Sequence, residues 1–370
     1  MTKTVYFLGA GFSKSAGGPI QNEIIQTIFT HGFADAYKHN DDITKGLNDF
    51  KEFLLKDLNI LDSNFQKIAL EDVFTPIDRC IADGKSFRSQ STNQLVALRE
   101  RLHTLMGASI QYQVDLQIHK DAYIQEFANY INTIAKNRIK YPEQDAISII
   151  STNWDILLDN RLHEAIESNT EPELAVVDYC CYISSLENDD KIKPGLYALG
   201  KGGYNIKYLK LHGSLNWLHC PMCQRMYIKF NEKTMLSDSK YYCKHCKSNY
   251  GLGNIAAIKL KGNLLLPTFL KDLSNVQIKL VWQNAGVELS EASNIVFIGY
   301  SLPAADFEIR QLLSRSIRNN ATINVVVFPE DTHKDELIDR YKNFFGSRAI
   351  EIIEKKVPDY IQEICGKSTN

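Results

Sequence analysis

Cys220 and Cys223 form one C-x-x-C pair and Cys243 and Cys246 a second, with 19 residues between them. Two such knuckles at this spacing match a tetrathiolate zinc site of the ribbon type, and four thiolates leave no open position for catalysis. The expected metal is therefore structural Zn2+. Four further motifs offer other chemistry. Gly9-Ala10-Gly11-Phe12-Ser13 can bring backbone N–H groups and a hydroxyl close to a diphosphate; the same glycines would also serve a plain strand-to-helix turn. Thr152-Asn153-Trp154-Asp155 sets an amide and a carboxylate two residues apart, suited to ribose hydroxyls and an oriented water. Thr152 or Asn153 would equally cap the helix that follows. His212-Gly213 supplies a side chain that titrates near cellular pH and can act as a general base, or a structural histidine. Gly299-Tyr300-Ser301-Leu302-Pro303, with Asp306 beyond it, is a turn able to contact the adenosine half of a nucleotide. Capping alone would also account for Ser301 or Asp306.

Each of these four motifs ends a strand-like run. Val5 to Leu8 leads into the glycines, Ala146 to Ser151 into Thr152, Ile206 to Leu211 into His212, and Ile295 to Ile298 into Gly299. Helical spacing follows at Ile20 to Phe29, after Asp155 through His163, at Leu273 to Ser290, Ala304 to Ile317 and Lys334 to Phe345. Further strands are expected at Leu264 to Pro267, Ile323 to Phe328 and Ala349 to Ile353. Strands alternating with helices predict an α/β, Rossmann-like, doubly wound parallel sheet. In such a sheet the carboxyl ends of the strands face one crevice, which would bring the four motifs together. Residues 34–141 read as a helical insertion and 217–250 as a zinc-ribbon module. That leaves 1–33, 142–216 and 251–370 for the Rossmann-like domain.

The composition is that of a globular protein, 44% hydrophobic and 23% charged. With 42 Lys and Arg against 44 Asp and Glu, the net charge of −2 gives no general attraction to nucleic acid or anionic membrane. The stretch from Cys220 to Lys261 is locally basic, a partner face or a solvated surface. No run approaches a membrane span or a secretory signal, and paired cysteines suit a reducing compartment, so a cytoplasmic address is expected.

Taken in chain order, GAGFS, TNWD, LHG directly ahead of a C-x-x-C…C-x-x-C module, and a late G-x-S-L turn resemble the sirtuin (silent information regulator) family of NAD-consuming enzymes. The resemblance implies a large Rossmann-like domain, a small domain of zinc ribbon and helical module, and NAD+ bound between them. It implies cofactor contacts from Gly9, Ala10, Gly11, Phe12, Ser13, Pro19, Thr152, Gly299, Ser301, Leu302 and Asp306. Asn153 and Asp155 would lie near the nicotinamide ribose, and His212 would be the general base. Two family features are missing. The Gly-Ile-Pro-Asp-Phe-Arg text after the first loop is here Ala16-Gly17-Gly18-Pro19-Ile20-Gln21, and the Phe-Gly-Glu segment of the deacylases is replaced by Leu266-Pro267-Thr268-Phe269-Leu270-Lys271. GFSK, TNWD and GYSLP with Asp306 are more similar to the bacterial antiphage-defence branch. Its members hydrolyse NAD+ outright, and work with a sensor or a DNA-translocase-type ATPase.

The expectation is thus an NAD+ glycohydrolase giving nicotinamide and ADP-ribose, gated by homo-oligomerisation, a partner or the helical insertion. Catalytic roles fall to Asn153, Asp155 and His212. Two alternatives stay open, an NAD-dependent protein deacylase and a non-catalytic NAD or ADP-ribose sensor.

Overall fold

The computed structural model describes residues 2–117, 120–186, 195–230, 241–250, 258–269, 271 and 273–367. Strand β1 (Thr4–Leu8) leads through a short α1 (Ala10–Lys14) into α2 (Gln21–Ile28), α3 (His31–Ala36), α4 (Asp41–Glu52), α5 (Leu70–Ala82), α6 (Thr92–Asp115) and α7 (Ala122–Ala135). Next come β2 (Ile147–Ser151), α8 (Leu157–Glu167), β3 (Ala175–Asp178), β4 (Ile183–Ser185), α9 (Gly195–Leu199), β5 (Tyr204–Lys210), β6 (Gly213–His219) and β7 (Met226–Ile228). After α10 (Lys244–Asn249) and β8 (Lys261–Leu264) the chain alternates. It runs α11 (Val276–Glu291), β9 (Asn294–Ile298), α12 (Phe307–Ser316), β10 (Thr322–Val327), α13 (Lys334–Phe345), β11 (Ile350–Glu354) and α14 (Val357–Lys367).

Seven strands pair in the order β11-β10-β9-β1-β2-β5-β3, every pair parallel. The central strands β1, β2 and β9 are buried almost throughout, the mark of a sheet covered on both faces. From β1 the sheet grows one way through β2, β5 and β3, and the other way through β9, β10 and β11. This is the doubly wound, Rossmann-like architecture expected, with its switch point between β1 and β9. A crevice opens at such a point, beyond the carboxyl ends of the strands.

The helices divide between two apolar cores. Ile24, Ile25 and Ile28 of α2 pack with Phe33, Phe50, Phe74 and Leu102 in the helical module. Tyr123, Phe127 and Ile131 of α7 pack instead on the sheet, beside Tyr6, Phe7 and Leu162. The reason is topological, because parallel neighbours β1 and β2 need a covering crossover and α7 supplies it. The long α6 starts at Ser91, whose hydroxyl accepts from the Gln94 N–H while Gln94 accepts from the Ser91 N–H, a reciprocal cap.

A second sheet runs β4-β7-β6-β8, with β6 antiparallel to both neighbours. It reaches beyond 217–250 at both ends. Gly213 to Leu218 continue the buried run of β5 but turn away from the parallel sheet as β6, and 261–264 pair with them rather than with the Rossmann strands. Among the described residues, no helix is long and apolar enough to cross a membrane.

Candidate active site

The backbone brings the four motifs together. Gly9 N–H donates to the Ile298 carbonyl (3.0 Å) and Gly11 N–H to that of Gly299 (2.9 Å). Thr152 N–H donates to the Leu8 carbonyl (3.0 Å) and Leu211 N–H to that of Ser151 (2.8 Å). The sheet ladder therefore continues past each strand end, and the turns lie side by side. A β-carbon on Gly9 would sit 2.5 Å from the Gly299 oxygen, and one on Gly11 2.7 Å from the Gly299 α-carbon. Gly299, at φ +65°, would place one 2.2 Å from the Phe12 nitrogen. These glycines are fixed by two turns packing on each other across the switch point. That packing accounts for Gly9 and Gly11 without a diphosphate.

A cavity of about 540 Å³ lies over the turns, within the about 300–1,000 Å³ range of small-molecule sites. Ala10, Gly11 and Pro19 line it from the first turn, and Thr152, Asn153 and Asp155 from the second. His212 lines it from the third, and Gly299, Ser301 and Asp306 from the fourth. Four of the expected contact residues lie elsewhere. Gly9 is beneath the turn, Phe12 packs against Tyr123 and Phe127, and Leu302 is buried with φ +49°. Ser13 is buried, and its hydroxyl accepts from Asn153 Nδ2 (3.2 Å) and bonds the Asp155 carboxylate.

Those bonds give each side chain its orientation. With Nδ2 committed to Ser13, Asn153 keeps a buried Oδ1 that has no hydrogen-bond partner among the described residues. Asp155 Oδ1 accepts the Leu157 N–H (3.1 Å) at the start of α8, so it does cap that helix. Burial raises the Asp155 carboxyl above the ordinary carboxylate range, opposed first by the charge of Lys210. Burial lowers His212 to about 4, with Asp306 raising it and Lys271 lowering it. The ring is therefore neutral at cellular pH. Its Nε2 is buried without a hydrogen-bond partner among the described residues and lies 3.8 Å from Asp306 Oδ1. Asn153 and His212 both line the cavity, and each keeps a buried polar atom without a partner among the described residues, an amide acceptor and a ring nitrogen, the groups that hydroxyl orientation and proton abstraction need.

Two features escaped the sequence reading. Lys271, whose side chain is 1% exposed, ion-pairs with Asp306 (3.0 Å), and Asp306 also accepts the Tyr300 hydroxyl (3.0 Å). Asp306 is thus held in a charge cluster beside His212, and Lys271 had no strand end or motif to mark it. At its far end the cavity is walled by Phe328, Asp331 and Val357. Phe328 and Asp331 follow β10, whose carboxyl end faces the same crevice as the other strand ends, so its position in the sequence was a usable signal.

The cysteine array is built as its spacing predicts. The four Sγ atoms lie within 4.8 Å of one another, with Cys220–Cys246 at 3.7 Å and Cys223–Cys243 at 3.6 Å. A tetrahedral ion about 2.3 Å from each sulfur fits those separations. Backbone N–H groups of Cys223 and Cys246 point at the sulfurs of Cys220 and Cys243, as metal knuckles require. The thiols fit structural zinc. Of the basic stretch around them, Arg225 stacks on Tyr182 and Lys261 pairs with Glu100, while Lys233 and Lys240 lie outside the described residues.

No protein-family model matches the chain, and no curated protein matches it. Among solved structures it is similar to a Sir2 homologue in complex with NAD, at 11% identity and a TM-score of 0.42, covering 100% of this chain and 90% of that one. A structure from work on the mechanism and regulation of Sir2 enzymes is similar at 13% identity and a TM-score of 0.40, covering 100% and 92%. A Sir2 enzyme bound to a propionylated peptide is similar at 13% identity and a TM-score of 0.37, covering 99% and 93%.

Proposed function

We propose that this chain is an NAD+ glycohydrolase that cleaves the nicotinamide–ribose bond and depletes NAD+ in defence against phage. One observation carries the reading: the turns bearing Gly11, Asn153, His212 and Ser301 line a single cavity. In the proposed step the C1′–N bond breaks, its electron pair leaves with nicotinamide, and positive charge develops on the ribose. Asn153 Oδ1 orients a ribose hydroxyl or the incoming water, and the Asp155 carboxylate offsets the developing charge. The water oxygen bonds to C1′ and gives up its proton to His212. Burial favours that assignment, because a neutral ring with a free nitrogen needs no prior proton loss. The four cysteines would hold zinc beside the second sheet, and four thiolates would leave it no position for chemistry.

The reading is tested by incubating the purified protein with NAD+ and following nicotinamide and ADP-ribose by chromatography, with and without an acetylated peptide. Release of nicotinamide without peptide is the expected result. Release only with peptide would make the chain a deacylase, and intact NAD+ recovered from the protein after long incubation would make it a sensor.

A further inference from the structure

Behind the cavity floor, Lys210 and Asp159 form an ion pair from which solvent is wholly excluded, 2.7 Å apart. The lysine donates three hydrogen bonds, each 2.7 Å long: to Asp159 Oδ2, to the Asp155 carbonyl and to Ser214 Oγ. All three of its protons are used. Asp159 Oδ1 accepts the Tyr179 hydroxyl (2.8 Å), so the pair is satisfied on both sides. Its partners come from three segments: the turn after β2, helix α8, and β6. Lys210 itself ends β5, two residues before His212.

Stability is a poor reason for this pair. Removing two charges from water costs as much as their attraction returns, and apolar residues of similar volume commonly do as well or better. Its location is the better guide. The Asp155 carboxylate bonds the Ser13 hydroxyl from α1 and the Leu157 N–H of α8, and the charged or titratable groups that act on it electrostatically are Lys210 and Tyr208 from β5, Asp159 from α8 and Tyr123 from α7. Lys210 is the cation among them, and its effect on Asp155 outweighs that of Asp159.

We propose that Lys210 is a positioning residue for the cleavage reaction: its ammonium ties the Asn153–Asp155 turn to helix α8 and to the strands on either side of His212. This rests on the NAD+-cleaving reading of the cavity. The active form needs Asp155 ionised, so activity falls as pH drops through its titration. Removing the lysine charge makes that carboxyl easier to protonate and moves the acid limb to higher pH.

Lys210→Met alone strands Asp159 as a buried unpaired charge and is expected to unfold the chain, so the informative variant is Lys210→Met with Asp159→Leu. It is expected to fold and keep its zinc. Its kcat at neutral pH should fall about 100-fold with KM nearly unchanged, and its acid limb should rise by about one pH unit or more. Carbon-13 NMR of the Asp155 carboxyl, in wild type and double variant, reads the same shift without turnover. Should wild type fail to cleave NAD+, the NAD+ reading falls, and the Asp155 titration must still move upward for the lysine's electrostatic role to stand. A folded double variant with wild-type kcat, an unmoved limb and an unmoved Asp155 titration overturns the proposal.

Discussion

His212→Ala is expected to lower kcat for nicotinamide release about 10²–10⁴-fold, the range of a lost general base, and Asn153→Ala to do comparable harm. Neither change should unfold the chain. Both side chains line the cavity, His212 Nε2 and Asn153 Oδ1 have no hydrogen-bond partner among the described residues, and the bond lost in His212→Ala is the one to the Thr152 backbone. The single bond lost in Asn153→Ala is the one to Ser13. Because burial holds His212 near 4, the ring stays a competent base down to mildly acidic pH. The His212 contribution to activity should therefore be unchanged between pH 8 and 6, where an ordinary histidine, titrating near about 6.5, would lose most of its free-base form. The measurement is steady-state turnover across pH, with thermal unfolding of each variant as the fold control. Full activity in both alanine variants would remove these residues from the chemistry.

Gly299→Ala should be damaging out of proportion to its single added methyl group. At φ +65° an L-residue carries about 1–2 kcal/mol of backbone cost. Here the new carbon also meets the Phe12 nitrogen at 2.2 Å and the Gly11 backbone, adding an overpacking cost of about 1–3 kcal/mol. Pushing the two turns apart would displace Ala10, Gly11 and Ser301 together, so NAD+ turnover should fall along with stability. Gly346→Ala is the control, since Gly346 has nearly the same φ of +63° with nothing within 4 Å of the added carbon. Thermal unfolding of the two variants separates backbone cost from packing cost. Equal losses would mean that the turns are not locked together as described.

What could be read from the sequence follows from the geometry of a parallel sheet. Every strand points its carboxyl end at the same edge, so a polar motif after an apolar run is placed without knowing the fold in detail; GAG, TNWD, HG and GYS were all found this way. Cysteine spacing is equally direct, because the metal constrains it. Long-range pairing left no such mark. Lys210 sits in IKYLKL, where a lysine reads as the wet side of a strand, yet its partner Asp159 is half a hundred residues earlier and both are buried. Lys271 lies in a loop with no periodicity and gains its meaning only from Asp306. The run from Ile206 to His219 interleaves apolar and polar residues without a break, and nothing in it announces that His212 stands where one sheet hands the chain to another. Helix α7 is amphipathic as α2, α4 and α5 of the helical module are, and only the need to cover the connection between β1 and β2 assigns it to the sheet. The glycines of GAG were legible as a turn; that Gly299 occupies the space their side chains would need was not.

The most direct test of the central claim is a crystal structure of the His212→Ala variant with NAD+ at saturating concentration, where slow turnover preserves the dinucleotide. It should lie in the cavity, with the nicotinamide ribose between Asn153 and position 212 and the diphosphate against Ala10 and Gly11. A dinucleotide seated on another surface, or a cavity still empty under those conditions, would contradict it.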